Sequence, residues 1–454
     1  MLTVEKIGGT SMSALADVIK NIVYFNDQPY NRVLVVSAFS GVTNLLLENK
    51  KTKAPGVYHR IVQHEDFHTP LQELVSKLKE INQQYQSLGL DLAIADAFIE
   101  QHVAKAQTYL ESAAIMLASG YVNEGVLQAA REILASIGET HSAYVLTNIL
   151  QNKGLNARLV DLSGFDDQKP FTIDQRIKDA FANIDLQNCI CIATGYTKGT
   201  EGIMREFDRG YSEVTFSKIA EILKPQEAII HKEYHLSTAD PALVGIDNVQ
   251  PVGNTNYDIA DQLADVGMEA IHPKASKPLE INGIHLRIKN TFEPAHPGTL
   301  ITREYVSTLK RVEVITGTDQ LLLIDIYDPL MVGNVGSDMQ IMQLFYQHNT
   351  SYTFKTTSAN SITIVIWEND FKQELIDDLQ ALFEKVTYEP VAMVCLLGTN
   401  MDQPGLLAKS ATALAKSDIN IISAGVALRK VNIQFLIARE QFKTAIIALN
   451  KAVG

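Results

Sequence analysis

The chain has 454 residues, of which 46% are hydrophobic and 20% are charged, a composition typical of a globular protein and not of a disordered one. Its net charge of −13 argues against nucleic acid as a partner, because phosphate backbones are bound by clustered Lys and Arg. The amino-terminal residues lack the pattern of a secretion signal, and no run of eighteen apolar residues occurs, so we expect neither export nor a membrane span. Three cysteines, an odd number, predict free thiols in a reducing, cytoplasmic compartment.

Short apolar strands alternate with helices in the first 300 residues or so. Residues 33–37 form a β-branched run that ends in a loop of small residues, and residues 189–194 and 228–230 repeat this design. Helices are predicted over residues 70–118 and 124–134. This alternation predicts an α/β fold with a mostly parallel sheet sandwiched by helices, and ligands at the carboxyl ends of its strands.

The pattern changes near residue 303, where a β-α-β-β-α order begins and then recurs. Two copies of an α+β unit of about 65 residues are predicted, although two unrelated modules would have a similar pattern. The first copy has predicted strands at 311–316, 321–327, 352–357 and 361–367 and helices at 338–347 and 371–383. The second has predicted strands at 392–397, 421–428 and 432–438 and helices that start at residues 406 and 441.

The first candidate site is the turn between the opening strand and a helix. Gly8 and Gly9 let the backbone approach an anion, and Thr10 or Ser11 can cap a helix whose free N–H groups favour phosphate. Lys6 adds a full positive charge. A purely structural strand–helix turn is an equal alternative on spacing alone.

Three further segments carry polar side chains suited to a polar ligand. Residues 37–44 are small and hydroxylated, and Glu139, beside Gly138 and before a predicted helix, could accept hydrogen bonds from a substrate ammonium. Arg209, next to Gly210, could bind a carboxylate with two parallel hydrogen bonds. The structural alternatives are a capped loop, a charge at a helix N-terminus and a solvated loop.

Two later loops and a histidine cluster are weaker candidates. Residues 237–241 and 287–291 could contact a nucleotide, although ordinary turns have similar sequences. His59, His64 and His68 suggest a metal site, since His64 and His68 would share a helix face. No closed ligand set accompanies them, so we predict a solvated helix face and no metal bound by the protein.

Taken in order, these segments resemble the aspartate kinases of the amino-acid kinase superfamily over nearly the whole chain. The paired C-terminal units resemble ACT domains, which in this family bind amino-acid effectors and form dimers. The matching motifs are Lys6–Ser11, Ser37–Asn44, Ser136–Glu139, Arg209–Glu213, Thr238–Pro241, His272–Lys274, Asn290–Thr291 and Pro297–Thr299.

The resemblance implies an amino-acid kinase fold at residues 1–302 followed by two ACT domains of βαββαβ order. The first ACT domain would span residues 319–387, and the second residues 303–318 plus 388–454. It also implies transfer of the γ-phosphate of ATP, with Mg²⁺, to the β-carboxylate of L-aspartate. Lysine or threonine would act as an effector at the ACT domains of a homodimer or tetramer.

The resemblance also assigns roles to individual residues. Lys6 and Glu213 would be catalytic, with Lys6 stabilising charge on the transferred phosphoryl group. Arg209 would bind the α-carboxylate of aspartate and Glu139 its ammonium. The remaining substrate-binding positions are Ser37 and Thr43, and those for the nucleotide are Gly8, Gly9, Ser11, Lys232, Asp240 and Lys289.

This sequence departs from the family motifs in three places. Glu213 replaces an aspartate and Tyr211 a glycine, while residues 230–234 replace a Trp-Thr-Asp-Val strand. Thr353 replaces an acidic residue of the effector segment, which predicts that inhibition by lysine is weak or lost. These departures resemble the specialised aspartate kinases associated with ectoine synthesis, so the product would enter either aspartate-family amino-acid or ectoine biosynthesis.

Two alternatives remain open at this point. One is another kinase of the superfamily, acting on acetylglutamate, glutamate or uridylate. The other is a non-catalytic amino-acid sensor, for which the altered residues around Glu213 and Lys232 would be an argument. The enzyme is favoured by the retention of four residues: Lys6, Thr43, Glu139 and Arg209.

Overall fold

The computed structural model describes residues 1–25, 28–49, 52–121, 124–207, 210–268 and 270–454. These form two compact units, the first comprising Met1–Leu236 with Ile271–Arg303 and the second Ser237–Ala270 with Glu304–Gly454. Every helix in the described ranges is too short or too polar to cross a membrane.

The strands of both units alternate with helices, and their bounds are as follows. The strands are β1 Thr3–Ile7, β2 Arg32–Val36, β3 Ala157–Val160, β4 Ile190–Thr194, β5 Glu227–Lys232, β6 Asn254–Asn256, β7 His285–Asn290, β8 Thr299–Thr302, β9 Val314–Tyr327, β10 Phe354–Thr357, β11 Ser361–Trp367, β12 Lys385–Leu397, β13 Ser423–Val426 and β14 Asn432–Ala438. The helices are α1 Gly9–Ser13, α2 Leu15–Val18, α3 Val42–Leu46, α4 Val57–Val62, α5 His68–Gln84, α6 Leu92–Ala118, α7 Glu124–Asn152, α8 Ile173–Phe181, α9 Ile203–Phe207, α10 Tyr211–Leu223, α11 Pro241–Val244, α12 Tyr257–Asp265, α13 Pro273–Ile281, α14 Ser337–Gln347, α15 Gln373–Leu382, α16 Leu406–Lys416 and α17 Phe442–Val453.

The first unit is built on the predicted, mostly parallel sheet, with the strand order β3-β4-β2-β1-β5-β7-β8. All these neighbours are parallel except β7 and β8. Ile7 pairs with both Val36 and His231, and Val36 pairs with Thr194. The carboxyl ends of β1, β2, β4 and β5 therefore lie at one edge of the sheet, as parallel pairing requires.

Two of the predicted helices have different bounds in the structure. The helix predicted over residues 70–118 is two helices, α5 and α6, because the chain turns at Gly89 with a positive φ of 103°. The helix predicted to end at residue 134 continues to Asn152. A Cβ at Gly138 would lie 2.6 Å from Cβ of Ala38, so the missing side chain lets α7 pack closely on the loop after β2.

The second unit contains an antiparallel sheet with the strand order β10-β11-β9-β12-β14-β13. The two strands predicted at 311–316 and 321–327 are one continuous strand, β9, which pairs along its length with β12. A register shift between Val391 and Met393 accommodates the bend that this length requires. Helices α14 and α15 pack on one hydrophobic core of this sheet, and α16 and α17 pack on another.

Candidate active site

The carboxyl-terminal edge of the parallel sheet brings Lys6 and Glu213 together across 207 residues of sequence. Lys6 lies near the end of β1, and Glu213 lies in the first turn of α10. Their Nζ and Oε1 atoms are 3.4 Å apart, and both side chains retain some exposure to solvent, 13% and 16%. The cation of the predicted phosphate loop is therefore accessible, and it is already positioned by a carboxylate.

Glu213 is held in its charged form by its surroundings. Its Oε2 accepts a hydrogen bond of 2.7 Å from the backbone N–H of His272, which precedes α13. Burial alone would raise its pKa, but the charges of Lys6 and Lys232 hold the pKa of Glu213 below its usual value. Glu213 thus carries a negative charge that interacts with both Lys6 and Lys232.

The glycine turn leaves room beside Lys6. A Cβ at Gly8 would lie 3.7 Å from Nζ of Lys6, and a Cβ at Gly9 would lie only 2.6 Å from the carbonyl oxygen of Ala38. The prediction that Thr10 or Ser11 caps the helix is wrong: the N-cap residue of α1 is Gly8, which has no side chain to form a capping hydrogen bond. Ser11 instead lies inside the helix.

The Ser11 hydroxyl contributes to a polar cluster behind this turn. It donates to Oε1 of Glu233 over 3.1 Å and lies 3.1 Å from the Thr291 hydroxyl. Because Gly8 is also near Oε1 of Glu233, at 4.0 Å from its notional Cβ, this carboxylate borders the glycine turn. The turn is therefore bordered by both the ammonium of Lys6 and the carboxylate of Glu233.

The sequence predicted Glu139 just before a helix. In the structure it instead lies buried in the middle of α7. Its Oε1 accepts a hydrogen bond of 2.8 Å from the hydroxyl of Tyr211. Within the described residues its Oε2 has no hydrogen-bond partner, although it is buried. Burial raises the pKa of Glu139 to about 7, even though the Tyr211 hydrogen bond and the charge of Lys6 act in the opposite direction.

Two other residues predicted to bind substrate lie on the elements next to Glu139. The Thr43 hydroxyl in α3 hydrogen-bonds Tyr211. Ser37 follows β2, and its carbonyl accepts a hydrogen bond of 2.9 Å from Ser142 of α7. This bond fixes the loop after β2 against the helix that carries Glu139.

Two residues predicted to bind the nucleotide, Lys289 and Asp240, form hydrogen bonds to the backbone of nearby residues. Lys289 of β7 donates to the carbonyl of Pro294 over 3.1 Å, and burial lowers its pKa. Asp240 caps α11 by accepting a 2.8 Å hydrogen bond from Ala242, and it belongs to the second unit. Arg209, the predicted ligand of the α-carboxylate, lies outside the described residues.

The histidine cluster differs from its prediction. His59 lies in α4, His64 follows that helix with a positive φ of 56°, and His68 begins α5, so His64 and His68 do not share a helix face. His68 stacks on Phe67. Throughout the described part of the chain, no group of three or more His, Cys, Asp or Glu side chains could hold a metal ion.

Sequence reasoning did not identify three contributions to this site. They are the Glu233 carboxylate beside the glycine turn, the His272 N–H on Glu213 and the Tyr211 hydroxyl on Glu139. Each contact joins residues at least 59 positions apart, so local patterns carry no signal for it. The sequence showed Tyr211 only as a large residue at a position that is glycine in the family motif.

Comparisons with known proteins identify the family of this chain. The model of the amino acid kinase family matches residues 1–290. Aspartate kinase Ask_Ect of Stutzerimonas stutzeri (strain A1501) is 41% identical, and the alignment covers 100% of this chain and 97% of that protein.

Solved structures share the fold of the whole chain. The crystal structure of Clostridium acetobutylicum aspartate kinase matches with a TM-score of 0.77 at 20% identity, covering 100% of both chains. Escherichia coli aspartokinase III in complex with aspartate and ADP matches with a TM-score of 0.75 at 19% identity, covering 100% of this chain and 99% of the other. At these identities the likeness shows the fold alone, and the residues above must carry the chemistry.

Proposed function

Because this chain belongs to the amino acid kinase family and is an aspartate kinase within it, we propose how its own residues divide the reaction. Lys6 and the glycine turn act on the γ-phosphate of ATP, and Glu139 and Arg209 bind L-aspartate. The observation that carries this proposal is the position of Lys6, which lies 3.4 Å from Glu213 and acts electrostatically on the buried Glu139. One cation thus borders both the glycine turn and the candidate aspartate site.

The transfer needs positioning and charge neutralisation more than proton chemistry. An oxygen of the β-carboxylate of aspartate forms a bond to the γ-phosphorus, and the bond from that phosphorus to the ADP oxygen breaks, its electron pair leaving with ADP. A carboxylate is already ionised at neutral pH, so no general base is required. Lys6, held in place by Glu213, stabilises the negative charge on the transferred phosphoryl group.

The aspartate is held by its two other charged groups. The Oε2 of Glu139, which has no hydrogen-bond partner among the described residues, is an acceptor for the substrate ammonium, which would supply that hydrogen bond. Arg209 is the proposed ligand of the α-carboxylate. Thr43 and Ser37 act on this pocket indirectly, Thr43 through Tyr211 and Ser37 through the loop that packs on α7.

Nucleotide phosphates fit the residues around the glycine turn. Gly9 lets the turn pack against the carbonyl of Ala38, where a Cβ would collide, and Lys6 and Lys232 supply positive charge. Mg²⁺ fits as well, because this ion is usually held by phosphate oxygens and only one or two protein carboxylates. We assign Glu233, which borders the turn, as that carboxylate; the ion would neutralise charge on the phosphates. Asp240 and Lys289 remain proposed contacts of the nucleotide.

The remaining proposals concern regulation and context. We propose a kinase domain at residues 1–302 and ACT domains at 319–387 and at 303–318 plus 388–454, a division supported by the pairing of Thr318 with Met393. Lysine or threonine would bind the ACT domains of a cytoplasmic homodimer or tetramer. Thr353 supports weak inhibition by lysine, and the likeness to Ask_Ect supports the ectoine-associated subtype.

Steady-state kinetics test these assignments. Release of ADP should depend on aspartate, and glutamate, acetylglutamate and uridylate should give little turnover. Lysine, threonine and both together should then be titrated into the aspartate reaction. Tight binding of lysine or threonine without any aspartate-dependent turnover would instead identify an amino-acid sensor.

A further inference from the structure

Tyr211 connects three elements of the candidate aspartate site. It is the first residue of α10 and is 2% exposed. Its hydroxyl donates to Oε1 of Glu139, 72 residues away, over 2.8 Å and is itself hydrogen-bonded to Thr43. A chain of hydroxyl groups therefore runs from α3 through α10 to a buried carboxylate in α7.

This arrangement makes the two oxygens of Glu139 unequal. Oε1 is engaged by the phenol, while Oε2 has no partner in the part of the chain that the structure describes. A hydrogen bond from a neutral donor to a carboxylate restricts its rotation and favours the ionised form. Backbone packing restricts it further, since a Cβ on Gly195 would lie 3.2 Å from Cγ of Glu139.

We propose that Tyr211 is a positioning residue for aspartate: its hydroxyl orients the Glu139 carboxylate so that Oε2 receives the substrate ammonium. Thr43 then acts as a support for Tyr211 and not as a direct ligand. This inference rests on the proposed role of Glu139. The glycine that the family motif has at position 211 could not perform this function, because it has no side chain.

The charged and titratable groups that act on Glu139 come from three elements. Lys6 of β1 lowers its pKa, as does the Tyr211 hydrogen bond, and the Tyr196 phenol after β4 is the third group near it. Tyr196 donates to Oε2 of Glu132 over 2.7 Å, so its own hydrogen bond is directed away from Glu139. Tyr211 is thus the phenol that bonds Glu139.

The test is the Tyr211→Phe variant, assayed for kcat/KM with aspartate as a function of pH. Loss of the hydrogen bond should raise the KM for aspartate at pH 7 by roughly ten- to a hundredfold, with kcat and the KM for ATP changed by less than about threefold. The midpoint of the pH profile should move upward from about 7, because the ionised form of Glu139 loses a donor. The difference from wild type should therefore shrink at pH 9.

Tyr196→Phe is the matched control, since it removes a phenol hydroxyl from a ring only 6.0 Å from that of Tyr211. It should leave the midpoint of the pH profile unchanged. If Tyr211→Phe fails to fold, Thr43→Val provides a second variant, because it removes the group that hydrogen-bonds the phenol. It should move KM and the midpoint in the same direction by smaller amounts.

The outcomes separate this inference from the proposed function. An unchanged KM and midpoint in Tyr211→Phe, with aspartate binding lost in Glu139→Gln, would overturn the role of Tyr211 alone. Normal aspartate kinetics in Glu139→Gln would overturn the proposed site as well. A fall in kcat without a change in KM or midpoint would also contradict the positioning role.

Discussion

Glu139→Gln should stabilise the protein at neutral and alkaline pH while it weakens aspartate binding. The carboxylate is buried in α7 with one hydrogen bond and one unpartnered oxygen in the described residues. Gln has nearly the same shape, and its carbonyl oxygen can keep the Tyr211 hydrogen bond. The substitution therefore removes a buried charge with little change in packing.

The magnitude follows from the pKa of Glu139, which burial raises from 4.5 to about 7. At about 1.4 kcal/mol for each pH unit, this difference is worth about 3 kcal/mol. Below pH 4.5 the folded and the unfolded chain both carry the neutral acid, so there is no penalty. Between pH 4.5 and 7 only the unfolded chain releases its proton, so the wild type loses this stability as the pH rises.

Calorimetric unfolding at pH 5, 6, 7 and 8 measures the effect as the difference in Tm between Glu139→Gln and wild type. That difference should grow by roughly 5 °C or more from pH 5 to pH 8, at about 2 °C for each kcal/mol in a unit of this size. Fluorescence of the single tryptophan, Trp367, is unsuitable because this residue lies in the second unit. The other titrating groups cancel in the difference.

Glu5→Gln is the contrasting control on the same sheet. Burial would raise the pKa of Glu5, but Arg32 and His231 hold it well below its usual value. Removing this charge leaves Arg32 buried without its partner, so the control should destabilise the protein by about 3–5 kcal/mol at neutral pH. A Tm difference for Glu139→Gln that is flat with pH, or negative at pH 8, would refute the reasoning about Glu139.

The other predictions concern the two substrates. Lys6→Ala should lower kcat by roughly a hundred- to a thousandfold with an unchanged circular dichroism spectrum, and near-normal turnover would remove Lys6 from the mechanism. Arg209→Ala should raise the KM for aspartate far more than that for ATP; equal effects would contradict the carboxylate assignment. Gly9→Ala should impair ATP binding, because its Cβ would lie 2.6 Å from the carbonyl oxygen of Ala38, whereas Gly125→Ala, with no atom within 4 Å, should be silent.

The sequence predicted the parts of this molecule that depend on local pattern. Residues 33–36 are apolar and β-branched apart from Leu34, and they form the buried strand β2 that was predicted from them. The parallel order of the sheet then requires Lys6 and the loop after β2 to share one edge. The resemblance, and not this rule, assigned Lys6 and Glu213 to one site; their side chains lie 3.4 Å apart, and their catalytic roles stay a prediction.

What the sequence did not predict was decided by tertiary packing. Gly138 suggested a break before a helix, yet it lies within α7, because the close approach of Ala38 leaves no room for a side chain. The hydrogen bond from Tyr211 to Glu139 joins two helices whose relative position is set by the sheet between them. Periodicity describes one element at a time and contains no information about such a contact.

The continuous strands β9 and β12 have a consequence for dissecting the second unit. Thr318 and Met393 are cross-strand partners, so the stretch between them, which forms the β10-β11 half of the sheet, begins and ends at neighbouring positions. Excising residues 319–392 would leave two adjacent chain ends that a two-residue Asn-Gly hairpin could rejoin. The carboxy-terminal core, on which α16 and α17 pack, would keep its own strands. The inserted half could therefore be deleted while the rest of the chain remains continuous.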